Sequence, residues 1–161
     1  MASTRVANWL AFLLPSALLG GALISQYGFG LYPCEMCMWQ RWPHLAAIVL
    51  ALPALMLRSK SWSVPLVVAA AVAILTSGLI GGFHAGVEYG WWEGLTSCAT
   101  NVSAGGDMLE SIMNAPLVRC DVAPWSLFGI SLAGYNFLLS VSGAMLILFM
   151  VATGRKDTDH G

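Results

Sequence analysis

Trp62-Ser-Val-Pro-Leu-Val-Val-Ala-Ala-Ala-Val-Ala-Ile-Leu-Thr-Ser-Gly-Leu-Ile-Gly-Gly-Phe-His84 contains no Asp, Glu, Lys or Arg from end to end. A helix needs about 20 such residues to cross ~30 Å of hydrocarbon. In lipid the backbone finds no water to bond, so a segment of this kind closes its hydrogen bonds on itself as a helix. Three further apolar stretches accompany it, at 9–27, 42–57 and 124–151. The stretch at 42–57 is the shortest, unless it begins near Cys34 and takes residues 34–41 as its end. The expected fold is an all-α membrane protein, a bundle of four transmembrane helices.

Composition agrees. The chain is 58% hydrophobic and 9% charged, with a mean hydropathy of +0.74, whereas a soluble domain is roughly a quarter charged. Its 161 residues have room for one domain, residues 1–161, closed by lipid as much as by itself. A net charge of −1 without basic runs leaves no footprint for nucleic acid. There is no Gly-Lys-Ser/Thr loop and no dinucleotide fingerprint, and the glycine-rich stretches lie inside apolar segments, where glycine more often serves helix packing.

Residues 28–41 form the first connection and Arg58-Ser-Lys60-Ser a second, short one, while the long one spans 90–123. Four crossings place Arg5, Arg58, Lys60, Arg155 and Lys156 on one side, with Arg41 and Arg119 opposite. The positive-inside rule then sets both termini in the cytoplasm and makes 28–41 and 90–123 extracytoplasmic loops. Residues 9–27 are longer than a signal-peptide core and lack a small-x-small cleavage site, so they read as a retained span.

All four cysteines fall in the two outer loops. An even number on the oxidising side of a membrane points to disulfides. Pro33-Cys34-Glu-Met-Cys37 is a Cys-x-x-Cys pair behind a proline suited to open a helical turn. A thiolate near a helix N-terminus is stabilised by the unpaired N–H groups, which makes such a pair active in exchange. The other readings are a static disulfide and half of a zinc site. Zinc is disfavoured because Cys98 and Cys120 lie far apart with no histidine beside them, so no metal is expected.

Arg41 follows Cys37 by four residues, which on a helix sets the guanidinium on the face of the Cys37 sulfur. A fixed positive charge there favours the thiolate; the bland reading is an arginine that snorkels to the interface. Pro43 either kinks the helix or ends a short turn ahead of it. Arg41 stays near Cys37 in both cases.

The run Cys34-Glu-Met-Cys37-Met-Trp-Gln40-Arg41, the later pair Cys98 and Cys120, and Cys120-Asp-Val-Ala-Pro-Trp125 with Leu127-Phe-Gly129 resemble the DsbB family of disulfide-forming membrane oxidases over nearly the whole chain. Vitamin K epoxide reductases share the bundle and chemistry but carry their quinone-facing Cys-x-x-Cys late; here it lies early. The resemblance implies a bacterial inner-membrane enzyme that reoxidises a periplasmic thioredoxin-fold oxidase, DsbA-like, and delivers electrons to a ubiquinone or menaquinone of the membrane pool. It further implies that Cys98 receives the electrons, Cys120 resolves the mixed disulfide and hands them to Cys34, and Cys37 faces the quinone beside Arg41. His84 is carried over as a quinone contact, its other reading being an interfacial histidine with a local partner; Glu88 is a weaker candidate.

In the second loop, Asp107-Met-Leu-Glu-Ser-Ile-Met-Asn114 gathers Met108, Leu109, Ile112 and Met113 on one face, which reads as a short amphipathic helix lying on the outer leaflet or against the bundle. Trp39, Trp42, Tyr89, Trp91, Trp92 and Trp125 read as an aromatic belt, and Asn101-Val-Ser103 as a chance sequon. The competing function is a structural four-helix protein whose outer loops are braced by inert disulfides, but a brace gives no reason for Arg41 to follow Cys37 by four. A metal transporter is disfavoured because no acidic or histidine residue is expected in mid-membrane.

Overall fold

A computed structural model describes residues 2–56, 62–94, 99–100 and 117–159. Cys98, the sequon and the expected helix at 107–114 lie outside the described residues. Four long helices dominate the described residues: α1 (Ala2–Phe29), α2 (Glu35–Met56), α3 (Ser63–Glu88) and α4 (Leu132–Asp159). Stretches Thr4–Phe29, Ser63–Glu88 and Leu132–Gly154 are long and apolar enough to cross a membrane. The fourth helix, α2, begins with the polar run that holds the Cys-x-x-Cys pair, and it continues through Pro43 and Pro53. Pro43 lies inside α2, so it does not end a separate turn ahead of the helix.

Each helix packs on its neighbours in sequence, and α1 closes the ring against α4. The centre is built from small residues, with Ala7, Ala11, Ala47, Ala51, Ala70, Ala71 and Ala144 buried around Val67, Ile74 and Ile147. Large apolar side chains such as Leu13, Ile24, Val49, Val72 and Phe149 face outward. This inverts the order of a soluble protein and suits lipid, where close backbone approach rather than water exclusion draws helices together. A Cβ on Gly78 would sit 2.9 Å from the Ser140 Cβ, and one on Gly81 would sit 3.0 Å from the Ala133 carbonyl, so α3 and α4 meet nearly backbone to backbone.

Two short antiparallel pairs add to the helical expectation. Ala99–Thr100 (β1) pairs with Leu117–Val118 (β2), and Ser126–Leu127 (β3) with Ile130–Ser131 (β4). Between β3 and β4, Phe128 and Gly129 take positive φ values of 51° and 77°, the geometry of a two-residue type I′ turn. Ser131 then caps α4, its Oγ accepting the Gly134 N–H at 3.1 Å. Tyr89, just past α3, donates its hydroxyl to the Gly129 carbonyl and accepts the Ser131 N–H. The turn is thereby fixed to the end of α3, and the chain enters α4 in one register.

Candidate functional site: a cysteine cluster above a polar seam

Cys34 is the N-cap of α2. Its carbonyl accepts the Met38 N–H at 3.1 Å and its sulfur accepts the Cys37 N–H at 3.2 Å, so the pair's geometry follows from helix initiation. The two sulfurs share a hydrogen bond of 2.8 Å. That bond, together with burial, pushes the Cys34 thiol up to about 12. The same bond holds Cys37 below the ordinary cysteine value, against the opposing effect of burial. The Cys37 N–H supports negative charge on Cys34, while the sulfur–sulfur bond acts in opposite directions on the two thiols and makes Cys37 the more readily ionised of the pair. Sequence reasoning credited the helix terminus and Arg41; the first cause here is the neighbouring thiol.

The β2 strand leads into Cys120, which packs with Cys34, Met36 and Val87 in one buried cluster. The sulfurs of Cys34 and Cys120 and a ring nitrogen of His84 all lie within 4.8 Å of one another. These are also zinc-ligand types. The disfavouring of zinc on spacing alone did not foresee that α3 brings a histidine to the cysteines.

His84, only 2% exposed, joins the cluster to a line of polar groups between the helices. Gln40 Nε2 faces the Met36 carbonyl at 3.2 Å and His84 Nδ1 at 2.9 Å. A carbonyl only accepts, so the Gln40 amide nitrogen donates to both, and His84 Nδ1 carries no hydrogen. His84 Nε2 then points its N–H toward Cys34 Sγ at 3.5 Å, with Glu88 Oε1 3.8 Å away. Gln40 Oε1 accepts from Asn136 Nδ2 at 2.8 Å, and Asn136 Oδ1 meets His44 Nε2 at 2.9 Å. Ser77 and Ser140 complete the seam, donating to the Gln40 carbonyl and to Asn136 Oδ1.

A cavity of about 260 Å³ opens beside this seam. Cys37, Arg41, His44, His84, Glu88 and Asn136 give it its polar edge, and Leu18, Leu19, Ala22 and Leu132 are among the apolar residues around it. An apolar hollow with a few convergent polar groups has the make-up of a small-molecule site. Cys37 and His84 also border a second cavity, of about 290 Å³, lined in addition by Tyr32, Val118 and Val122. One wall thus faces the interhelical hollow on one side and the segment around Cys120 on the other. Arg41 is held to α1, donating to Gln26 Oε1 and to the Ala22 carbonyl at 3.3 Å.

Of the residues singled out in the sequence, Cys34, Cys37, Cys120, His84 and Glu88 come together, Arg41 borders the same cavity, and Cys98 lies outside the described residues. Sequence reasoning missed Gln40, His44 and Asn136. Two signals were present: Gln40 and His44 follow Cys37 by three and seven residues, along one helix face, and Asn136 interrupts an apolar stretch. His44 lies at the end of 42–57 nearest the Cys-x-x-Cys pair, away from mid-membrane.

Comparison with known proteins agrees with this chemistry. A family model described as disulfide bond formation protein DsbB matches residues 4–150. The chain is 31% identical to disulfide bond formation protein B of Verminephrobacter eiseniae over 151 residues, 87% of this chain and 81% of that one. It is 30% identical to disulfide bond formation protein B 2 of Pseudomonas syringae pv. syringae over 166 residues, 92% and 89% of the two chains. An uncharacterized protein of Rickettsia prowazekii is 25% identical over 152 residues, 91% and 85%. No solved structure matches. With its paired cysteines set against a cavity between apolar helices, the chain belongs to the DsbB family, helical membrane oxidoreductases that form disulfide bonds with a quinone as electron acceptor.

Proposed function

We propose that this protein draws electrons from a DsbA-like periplasmic dithiol through Cys98 and Cys120, then through Cys34 and Cys37, to a quinone of the membrane pool, a ubiquinone or a menaquinone. The observation that carries the reading is the placement of Cys37: its sulfur is hydrogen-bonded to Cys34, and it borders the cavity that Arg41 also lines. The quinone supplies the two-electron acceptor. Each exchange conserves electrons, since a thiolate attacks a disulfide sulfur and the departing sulfur leaves as a thiolate. Cys120, within 4.8 Å of Cys34, is in position for the transfer between pairs. His84 Nε2–H aims at Cys34 Sγ and supports negative charge there as it becomes the leaving group. Arg41 steadies charge on Cys37 and on the acceptor.

The assignment also carries a topology. The chain is one membrane domain of four crossings in the bacterial inner membrane, both termini cytoplasmic and the cysteine end of the bundle outside. The relay order is tested by Cys120→Ser, which should trap a mixed disulfide between the soluble dithiol partner and Cys98, seen on a non-reducing gel and mapped by peptide mass. Capture at Cys34 or Cys37 alone would overturn the order.

A further inference from the structure

The hydrogen-bond directions in the seam fix which nitrogen of His44 is bare. The Ser77 carbonyl, 3.2 Å from Asn136 Nδ2, only accepts. The Asn136 amide nitrogen must therefore face Ser77 and Gln40, which turns Oδ1 toward Ser140 and His44. Because Oδ1 is an acceptor, His44 Nε2 carries the hydrogen of their 2.9 Å bond. The ring is 3% exposed and its hydrogen-bond partner is a neutral amide, and an uncompensated charge in such a place is costly, so the imidazole is neutral. Its Nδ1 is then a bare lone pair. That atom is buried, has no hydrogen-bond partner among the described residues, and belongs to a residue lining the cavity.

A quinone offers carbonyl oxygens, which only accept, whereas a quinol offers hydroxyls, which donate. Resting on the cavity reading above, we propose that His44 Nδ1 accepts a hydrogen bond from a ring hydroxyl of the quinol, so that the site holds the reduced ring more tightly than the oxidised one. The register suits this. His44 follows Cys37 by two helical turns on the same face, ~10.5 Å along the axis, about the reach of one ring with both oxygens and a hydrogen bond. Arg41, a donor only, lies one turn from Cys37 and serves the nearer oxygen, and His44 serves the farther. Reduction adds two electrons and two protons to the ring as the pair becomes a disulfide, one proton coming from the Cys34 thiol and the other, where Cys37 is already ionised, from water. The proton on the farther oxygen then points at His44, which keeps its own. Asn136 is the positioning residue, because it decides which nitrogen of His44 is bare.

The test uses the full-length protein with its cysteines oxidised, in detergent and under anaerobic conditions, titrated with a short-chain ubiquinone and separately with its quinol. Loss of a buried hydrogen bond in His44→Leu should weaken quinol binding about tenfold, with quinone binding changed less than about twofold. His44→Gln, which restores a side-chain acceptor, should recover most of the preference. Equal losses for the two rings, or none, would overturn the inference. Ala17→Trp, which fills the cavity from α1, should weaken both rings; if it weakens neither, the cavity reading fails and the role of His44 with it.

Discussion

Arg41 has two hydrogen bonds to α1, through Gln26 and the Ala22 carbonyl, and still borders the cavity that Cys37 lines. A side chain pinned in this way is already oriented before charge develops, which is how fixed donors lower a barrier. Arg41→Ala should lower the rate of quinone reduction by about 10²-fold and leave the thermal unfolding transition little changed. Arg41→Lys keeps the charge without the planar fork and should fall between. Wild-type rate and affinity in Arg41→Ala would make the residue an anchor only. Replacing Cys34 leaves Cys37 unpaired beside the acceptor, and a visible thiolate-to-quinone band should appear in Cys34→Ser. A thiolate persists above its pKa, and the Cys37 value is depressed in part by the Cys34 thiol. A serine hydroxyl keeps one donor in that place, so the band should survive below the ordinary cysteine range and fade only as pH falls through the lowered value. It should weaken in the Arg41→Ala background.

Among the elements, α3 matters most for the site, because it brings His84 to the cysteines and lets α4 approach through Gly78 and Gly81. A methyl on Gly81 would meet the Ala133 carbonyl at 3.0 Å, Asn136 Nδ2 at 3.0 Å and Gln40 Oε1 at 3.2 Å. Gly81→Ala should therefore part α3 from α4 and strain the Gln40–Asn136 bond, at a cost of about 1–3 kcal/mol, read as a lowered unfolding temperature in detergent. Gly20→Ala, where an added Cβ meets nothing within 4 Å, is the matched control. The apolar stretches were legible because hydrocarbon imposes length and polarity on any crossing segment. That Cys37 and Arg41 border one cavity was legible because spacing on one helix sets them on a common face, whereas the bonds of Arg41 to α1 were not. The seam was not. Gln40, His44, Ser77, His84 and Asn136 are brought together from α2, α3 and α4, and nothing in one helix says which polar residue of another will face it. Pro43 was ambiguous for a related reason, since packing decides whether a helix continues past a proline.

Over the whole molecule, large apolar side chains facing outward and alanines facing inward describe a bundle solvated by lipid. The basic residues give its expected direction. Reporter fusions after Lys60 and after Lys156 should report cytoplasm, and fusions near Gly106 the outside. An inverted pattern would put all four cysteines in a reducing compartment. As proposed above, this bundle carries electrons from a soluble dithiol to a membrane quinone. Its most direct test is anaerobic mixing of the purified protein with a ubiquinone and a reduced thioredoxin-fold dithiol partner, following quinol by absorbance and the partner's thiols by trapping. One quinol should form for each partner disulfide, with both lost in Cys37→Ser. Partner oxidation without quinol, or no turnover while the protein's own cysteines still exchange, would contradict the proposal.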